Sequence, residues 1–280
     1  DNWSIKAFTG KQSNLFDTYS GILKGGSLEG FLSFGEEKPF TIAPGLGLLN
    51  RTLDESTMED IVGILQNYLD EDRVSPVYNT YASTIFSTFS YDAWTMYIEG
   101  AYKSPDIFND PYALRTTTTG SQTEGKYVKE AGSVLYSSLS YGQKGLGITG
   151  EIKRTENFDY RTSPNLSLNH GLINFIPPMN RVNTYRLTAR YSPATQLLRE
   201  LAYQLDIKYA ISKNLSINVN FANITDLDNE LLYREVYTEF LFKKKRKWRL
   251  SGGVQLQSYN QDLYEGKPNA PMVQTITPFF

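Results

Sequence analysis

Strict alternation of apolar and polar residues marks residues 200–221 more clearly than any other stretch of the chain. Apolar side chains occupy every second position, first in LAYQLDIKYAI and then, after the turn at Ser212, Lys213 and Asn214, in LSINVNF. A period of two residues predicts β-strands with one apolar and one polar face. Such a pair suits either a half-solvated sheet or a membrane barrel with an apolar outer face and a wet lumen.

The same period recurs along most of the chain and predicts about eleven or twelve strands. Their mean length of about nine or ten residues suits a tilted strand that crosses a bilayer, whereas strands of soluble domains usually have about five or six. Besides the pair above, strands are expected at residues 3–12, 27–35, 80–90, 94–103, 132–141, 146–155, 185–191, 232–242, 248–259 and 273–277.

The predicted connections differ in length in a regular way. If each connection reverses the chain, the long ones at residues 36–79, 105–131 and 158–182 fall at one end, and the short turns at 91–93 and 142–145 fall at the other. Long loops on one rim and short turns on the other are typical of outer-membrane barrels. The sequence therefore predicts an all-β fold, a transmembrane antiparallel up-and-down β-barrel of about twelve strands.

A change of period within the long insertion 36–79 predicts one helix. Prolines and glycines from Pro39 to Gly47 interrupt the strand pattern, and Ser56 then begins a capping-box sequence ahead of a helix at residues 57–69. We expect this amphipathic helix to lie inside the barrel, with the rim or a partner protein as alternatives. Its apolar side chains at helical spacing are Met58, Ile61, Val62, Leu65 and Leu69.

Composition is compatible with a barrel and excludes other classes. Only 40% of the 280 residues are hydrophobic, and no run approaches the roughly 20 apolar residues that a membrane helix needs. The 20 tyrosines and 15 phenylalanines suit a membrane interface, and a net charge of -2 gives no reason to expect nucleic-acid binding. Cysteine is absent, so the chain has no thiolate metal site and no cysteine nucleophile. We treat residues 1–280 as one domain.

Acidic residues in one short connection are a candidate cation site. Asp226, Asp228 and Glu230 place several oxygen ligands close together, as calcium prefers, although the glycine and bidentate glutamate of an EF-hand are missing. A solvated turn is the simpler interpretation. No other cofactor is expected.

A basic cluster between two predicted strands is a second candidate site. On a barrel it would lie at a membrane rim, where it could contact lipid headgroups or lipopolysaccharide phosphates. The alternative is a charged hairpin tip without a ligand. The cluster consists of Lys243, Lys244, Lys245, Arg246 and Lys247.

A lipid hydrolase with a Ser–His pair would have to use the one histidine, His170. Ser167 lies close to it in sequence, as a lipid hydrolase would require, but no Gly-x-Ser-x-Gly elbow presents a nucleophile. A loop histidine is the simpler interpretation. Inward charges of both signs, among them Glu151, Lys153 and Glu239, favour pairing across the lumen over a pore selective for one sign.

Four short segments resemble a Bacteroidota family of outer-membrane barrels that is catalogued only as a domain of unknown function. The residues are Asn157-Phe158-Asp159-Tyr160-Arg161, Ile173-Asn174-Phe175-Ile176-Pro177-Pro178, Asn183-Thr184-Tyr185 and Tyr191-Ser192-Pro193-Ala194-Thr195-Gln196. The resemblance implies an outer-membrane barrel, supplies no catalytic residues, and implies that these strands are part of a larger barrel.

These observations together define an expected role. We expect a non-enzymatic integral protein of the bacterial cell outer membrane, serving as an accessory subunit of a larger outer-membrane complex. Its expected partners are outer-membrane lipid or lipopolysaccharide and other outer-membrane or periplasmic proteins. The alternatives are a porin-like pore for small solutes and, less favoured, a lipid hydrolase.

Overall fold

The structure, a computed structural model, describes residues 2–167, 170–181, 195–244 and 247–280. It contains twelve strands and two short helices. In chain order these are β1 (Asn2–Ser13), β2 (Thr18–Phe34), β3 (Phe40–Thr52), α1 (Glu55–Gln66), β4 (Asn79–Tyr91), β5 (Trp94–Thr116), β6 (Gln122–Gln143), β7 (Leu146–Glu156), β8 (Arg199–Ala210), β9 (Leu215–Thr225), β10 (Leu231–Lys244), β11 (Trp248–Tyr259), α2 (Gln261–Glu265) and β12 (Val273–Phe279).

All twelve strands form one sheet in which each strand pairs with its neighbours in sequence order. Every pairing is antiparallel, which confirms the predicted all-β, up-and-down architecture. Among the described residues, β1 and β12 do not pair with each other, so the sheet is open. The predicted closure into a barrel is therefore not made by these twelve strands alone.

The two faces of the sheet differ sharply in polarity. Residues directly opposite one another on neighbouring strands share a face, and the register places Leu46, Ile85 and Leu135 on the same face. This face points outward, since the exposed fraction is 68% for Ile85 and 51% for Leu135. Arg51 and Lys103 lie on the other, concave face and are completely buried. The apolar face is thus exposed and the polar face is buried, the reverse of a water-soluble protein.

Connection lengths also follow the predicted asymmetry. At one end, the strands are joined by the short turns 35–39, 92–93, 144–145, 211–214 and 245–247. At the other end lie the longest connections, 53–78, 157–198 and 260–272. We call these the short-turn end and the long-connection end.

Two predicted loops are strands in the structure. Residues 105–131, predicted as a loop, extend β5 and β6 into a hairpin that projects beyond β4 and β7. A register shift between Lys103 and Asp106 accommodates Pro105, which has no N–H to donate. Part of the predicted insertion 36–79 is strand β3. Pro44 lies where the pairing of β3 with β2 is interrupted, between Ile42 and Gly45. Prolines therefore occupy irregular points of the ladders instead of ending the strands.

Gly45 shows why glycine is tolerated in β3. A Cβ at this position would lie 2.1 Å from the Phe86 ring, which packs across the glycine from β4. Glycine in a strand often marks such a close approach.

Helix α1 confirms the predicted helix, but its limits and its environment differ from the prediction. The N-cap is Asp54, not Ser56, and the helix ends at Gln66, so Leu69 lies outside it. Met58, Ile61 and Leu65 are buried, and Val62 is partly buried beside them. Of the described helices, none is long and apolar enough to cross a membrane.

The predicted position of this helix inside the barrel is wrong. Its buried side chains pack against Leu53 and Tyr68 and against Ile107 and Tyr127 of the projecting hairpin, at the long-connection end. The hairpin offers α1 an apolar surface there, while another segment covers the concave face. The predicted strand at residues 185–191 lies outside the described residues.

Asp54 sets the start of α1 through several hydrogen bonds. Its carboxylate accepts the Thr57 N–H (3.3 Å) and the hydroxyls of Ser20 (2.5 Å) and Thr57 (2.6 Å). Burial would raise the pKa of this carboxyl, but the hydrogen bonds from Ser20, Ser56 and Thr57 hold that pKa well below its usual value. The charged form is therefore favoured by the fold.

We expect Asp54→Ala to destabilise α1 by about 1 kcal/mol, the usual cost of losing an N-cap acceptor. Hydrogen exchange of the α1 amides measures the loss, and Asp60→Ala, at an exposed helical position, is the control. In the wild type, the charged Asp54 carboxylate stabilises α1 fully at pH values above about 4, the pKa of this carboxyl in the unfolded chain. The stabilisation is lost as the pH falls through the lower pKa of the carboxyl in the folded protein. Equal protection of the α1 amides from hydrogen exchange in Asp54→Ala and Asp60→Ala would contradict the role of Asp54 as the N-cap.

Candidate functional site

One segment crosses the concave face of the sheet and is the candidate functional site. We call residues 157–181, which follow β7, the lumenal segment. Near one edge of the sheet, Gln12 Nε2 on β1 donates to the Leu172 carbonyl (3.1 Å). Far across the sheet, Arg181 Nη2 lies 3.5 Å from Glu239 Oε2 on β10. A single short segment reaches both strands only if the sheet curves around it.

Three buried cations on alternate strands hold the lumenal segment by its backbone. They are located on β3, β5 and β7, and each is 0% exposed. Each donates a hydrogen bond to a carbonyl oxygen of the segment. The bonds are Arg51 Nη1 to Arg161 O (3.0 Å), Lys103 Nζ to Asp159 O (2.8 Å) and Lys153 Nζ to Pro177 O (2.8 Å).

Further contacts compensate the charge of each cation. Arg51 forms a bidentate pair with Asp106, with nitrogen–oxygen distances of 2.7 and 3.1 Å. Lys153 Nζ lies 2.7 Å from Glu200 Oε1, and Lys103 Nζ lies 4.8 Å from the centre of the Phe108 ring. A buried charge without such partners would cost several kcal/mol, so these groups are fixed in position.

Tyr160 joins the lumenal segment to the wall. Its hydroxyl donates to the Thr80 carbonyl on β4 (3.0 Å), and its own carbonyl accepts the Ile173 N–H (2.9 Å). Burial raises the pKa of the Tyr160 hydroxyl, although nearby Arg51 opposes the effect. Tyr160 therefore remains a neutral hydrogen-bond donor at physiological pH.

Two glycines let the segment approach the sheet closely. A Cβ on Gly21 of β2 would lie 2.6 Å from the Thr162 carbonyl oxygen, and one on Gly132 of β6 would lie 2.3 Å from the Asn157 carbonyl oxygen. In both cases the obstacle is backbone, which cannot turn aside as a side chain does. These positions require glycine because the lumenal segment is present.

A cavity of about 490 Å³ remains between the lumenal segment and strands β1 to β6. Most of its wall is apolar, and its polar lining includes Thr84, Tyr97, Glu99, Tyr136 and Asn174. Its apolar lining includes Leu49, Ala82, Val134, Phe158, Ile173 and Ile176.

The predicted calcium ligands do not converge. Among the described residues, no group of three histidine, aspartate or glutamate side chains is arranged to hold a metal ion. Asp226 Oδ1 instead accepts the N–H groups of Asp228 (2.9 Å) and Glu230 (2.8 Å), and Arg199 pairs with Asp228 at 2.6 Å. Asp226 therefore stabilises the β9–β10 turn through its side chain, an arrangement that lends no support to the predicted calcium site.

The predicted basic cluster lies at the short-turn end, between β10 and β11. Lys243 and Lys244 close β10 and are exposed, as is Lys247. Lys245 and Arg246 lie outside the described residues.

The described contacts of His170 are made by its backbone. Its N–H donates to the Ser167 carbonyl (3.1 Å), and its own carbonyl accepts a bond from Arg161 (2.9 Å). These backbone contacts shape a turn of the lumenal segment.

Sequence reasoning missed the role of Arg51 and Lys103, and it treated residues 158–182 as an outer loop. A single charged residue at an inward strand position was the available signal, but a charge there is also compatible with a water-filled lumen. The contacts with the segment join residues far apart in sequence, and alternation alone does not reveal them.

We expect Gly132→Ala to displace the start of the lumenal segment, because the new Cβ would collide with the Asn157 carbonyl. Since the chain has no cysteine, Thr162→Cys provides one buried thiol, and its labelling by a maleimide should accelerate about tenfold, equivalent to about 1.4 kcal/mol of easier opening. The control is Gly100→Ala, where a Cβ meets nothing within 4 Å. Equal labelling rates in the two variants would refute the close-approach explanation.

Comparisons with known proteins identify the family. The solved structure titled "Crystal structure of the P. putida toluene transporter TodX" is similar over 93% of this chain and 73% of its own chain, with 10% identity and a TM-score of 0.27. A similarity this low supports no conclusion about fold or function. No curated protein matches the sequence. A model of a family of unknown function, DUF6029, matches residues 1–279. The chain therefore belongs to the DUF6029 family.

Proposed function

We propose that this protein is a non-enzymatic integral component of the bacterial outer membrane, whose strands form part of a barrel wall. The observation that carries this proposal is the polarity of the two faces. Ile85 and Leu135 are exposed near the middle of the outward face, while Arg51 and Lys103 are completely buried on the inward face. Hydrocarbon outside and a polar lumen inside would make both placements favourable.

Aromatic side chains support a membrane boundary at each end of the outward face. Tyrosine and tryptophan favour such boundaries because their rings meet lipid and their polar atoms meet water. Tyr81, Tyr102 and Tyr203 lie on the outward face at the long-connection end, and all three are exposed. At the short-turn end the exposed outward rings include Phe34, Phe40, Tyr91, Trp94, Tyr209 and Trp248.

The separation of these two belts matches a membrane. Along β4, Tyr81 and Tyr91 are ten positions apart, which is about 33 Å at about 3.3 Å per residue. A strand tilt of about 40° reduces this to about 25 Å, the height of the apolar band of outer-membrane barrels.

The connections give the proposed orientation. Short turns of outer-membrane barrels face the periplasm and long loops face the exterior. The basic cluster at residues 243–247 would then face the inner leaflet, so phospholipid headgroups become its expected partners in place of lipopolysaccharide. The projecting β5–β6 hairpin and α1 would lie on the exterior side.

A subunit role is favoured because the lumenal segment fills much of the concave face. The hydrogen bonds from Arg51, Lys103 and Lys153 to this segment support the proposal that it obstructs the water path along the concave face. The projecting hairpin offers exposed apolar side chains, including Tyr112 and Leu114, for contact with another outer-membrane protein. The alternative is a small-solute pore, and the cavity beside the segment is the observation that favours it.

Both edges of the sheet are relevant to the subunit proposal. In hydrocarbon, unpaired backbone N–H and C=O groups cost several kcal/mol each. The free edges of β1 and β12 would therefore need partner strands within a membrane, either each other or strands of a larger barrel.

Lipid contact is tested by placing a charge on the outward face. We expect Ile85→Lys to destabilise the protein in lipid vesicles by about 2–4 kcal/mol, the cost of a lysine near the bilayer midplane. In a water-soluble sheet, the same exposed substitution would change stability by about 0.5 kcal/mol or less. Denaturant unfolding of the vesicle-inserted protein measures the difference.

Tyr91→Lys, on the same strand at the proposed interface, is the control and should cost about 0–1 kcal/mol. Equal, small effects at both positions would contradict contact of this face with lipid.

Planar-bilayer recording separates the closed subunit from the pore. We expect the full-length wild-type protein to conduct little current, because the lumenal segment obstructs the lumen. Gly132→Ala should raise the conductance by displacing the segment, and Gly100→Ala should not. Steady, large currents from the wild type would support the pore instead.

A further inference from the structure

The cavity beside the lumenal segment has an acidic group at one side. Glu99 lies on the inward face of β5 and is half-buried. One carboxylate oxygen accepts the Thr84 hydroxyl (2.6 Å), and the other accepts the Tyr97 hydroxyl (2.6 Å). Both donors are neutral, so they orient the carboxylate without cancelling its charge.

Among the described residues, no cation forms an ion pair with Glu99. This distinguishes it from Asp106 and Glu200, which pair with Arg51 and Lys153 on the same face. A partly buried carboxylate in an apolar cavity favours a positively charged ligand, because attraction is stronger away from bulk water.

Aromatic rings beside Glu99 strengthen this preference. The Tyr97 and Tyr136 ring centres are 5.9 Å apart, and the Phe86 ring centre is 6.4 Å from that of Tyr97. The faces of aromatic rings attract cations, most effectively where water is partly excluded. A carboxylate flanked by such rings is suited to an ammonium group.

The remainder of the cavity is suited to hydrocarbon. Its wall is formed by aliphatic and aromatic side chains from both the sheet and the lumenal segment, including Val134 and Phe158. A volume of about 490 Å³ lies within the range of about 300–1,000 Å³ that is usual for small-molecule sites.

We propose that this cavity binds a small amphiphilic organic cation, with its ammonium group at Glu99 and its apolar body between Val134 and Phe158. The ligand would touch the wall and the lumenal segment at once. The proposal does not depend on the membrane location, because it uses only the cavity and its lining.

Three probes with one apolar body test the proposal. They are 4-phenylbutylamine, 4-phenylbutan-1-ol and 4-phenylbutanoate. Each is titrated calorimetrically into the full-length protein in the medium that keeps it dissolved and folded, detergent solution or plain buffer, with that medium alone as the blank. We expect the amine to bind about tenfold or more tightly than the alcohol, and the carboxylate to bind most weakly.

Two variants separate the charge from the apolar volume. Glu99→Gln should remove the preference for the amine while leaving the affinity for the alcohol nearly unchanged. Val134→Trp should weaken all three probes by filling the cavity, and Glu124→Gln, on the projecting hairpin, should change none. Circular dichroism verifies that each variant retains its strands.

The wild type alone is sufficient to refute the proposal. Equal affinities for amine and alcohol would show that Glu99 does not select a cation, and absence of binding by all three probes would show that the cavity is not a ligand site. Persistence of the amine preference in Glu99→Gln would also overturn it. None of these outcomes depends on whether the Ile85→Lys test supports lipid contact.

Discussion

The structure depends on hydrogen bonds from buried cations of the sheet to backbone carbonyls of one crossing segment. Arg51, Lys103 and Lys153 each make such a bond, and each is completely buried. Burying three positive charges is costly, so the carbonyls and the acidic partners of Arg51 and Lys153 are needed together. The curvature of the sheet, the fixed position of the lumenal segment and the shape of the cavity all follow from this arrangement.

The same arrangement explains how one sheet supports two very different faces. Outward positions combine large apolar residues such as Ile85 with small ones such as Ser83. Several inward positions are more specific, because they face the lumenal segment or the cavity. Gly21 and Gly132 illustrate this specificity, since each leaves space for a carbonyl of the segment. Glu99 is a second example. Its carboxylate faces the cavity and accepts hydrogen bonds from the hydroxyls of Thr84 and Tyr97.

Local pattern predicted some elements well and others poorly, for physical reasons. The strands around residues 200–221 were clear because each face has one environment along its whole length. The sequence of residues 105–131 predicts a loop because the projecting hairpin has no neighbouring strand on either side. Helix α1 packs against part of it, at Ile107 and Tyr127, so no regular alternation extends along its length. The helix was found from its spacing, but its cap was misplaced, because Asp54 and Ser56 are both good N-caps and Ser20, from β2, contributes to the choice.

The sequence by itself determined the up-and-down antiparallel architecture, the polarity of the two faces and the end at which two of the three predicted long connections lie. These properties follow from a two-residue period and from connections that reverse the chain, both of which are local. Only the tertiary structure decided what covers the concave face, which charges pair and where α1 packs. Those contacts join residues far apart in sequence, 110 positions for Arg51 and Arg161, and the period of a strand contains no information about its distant partners.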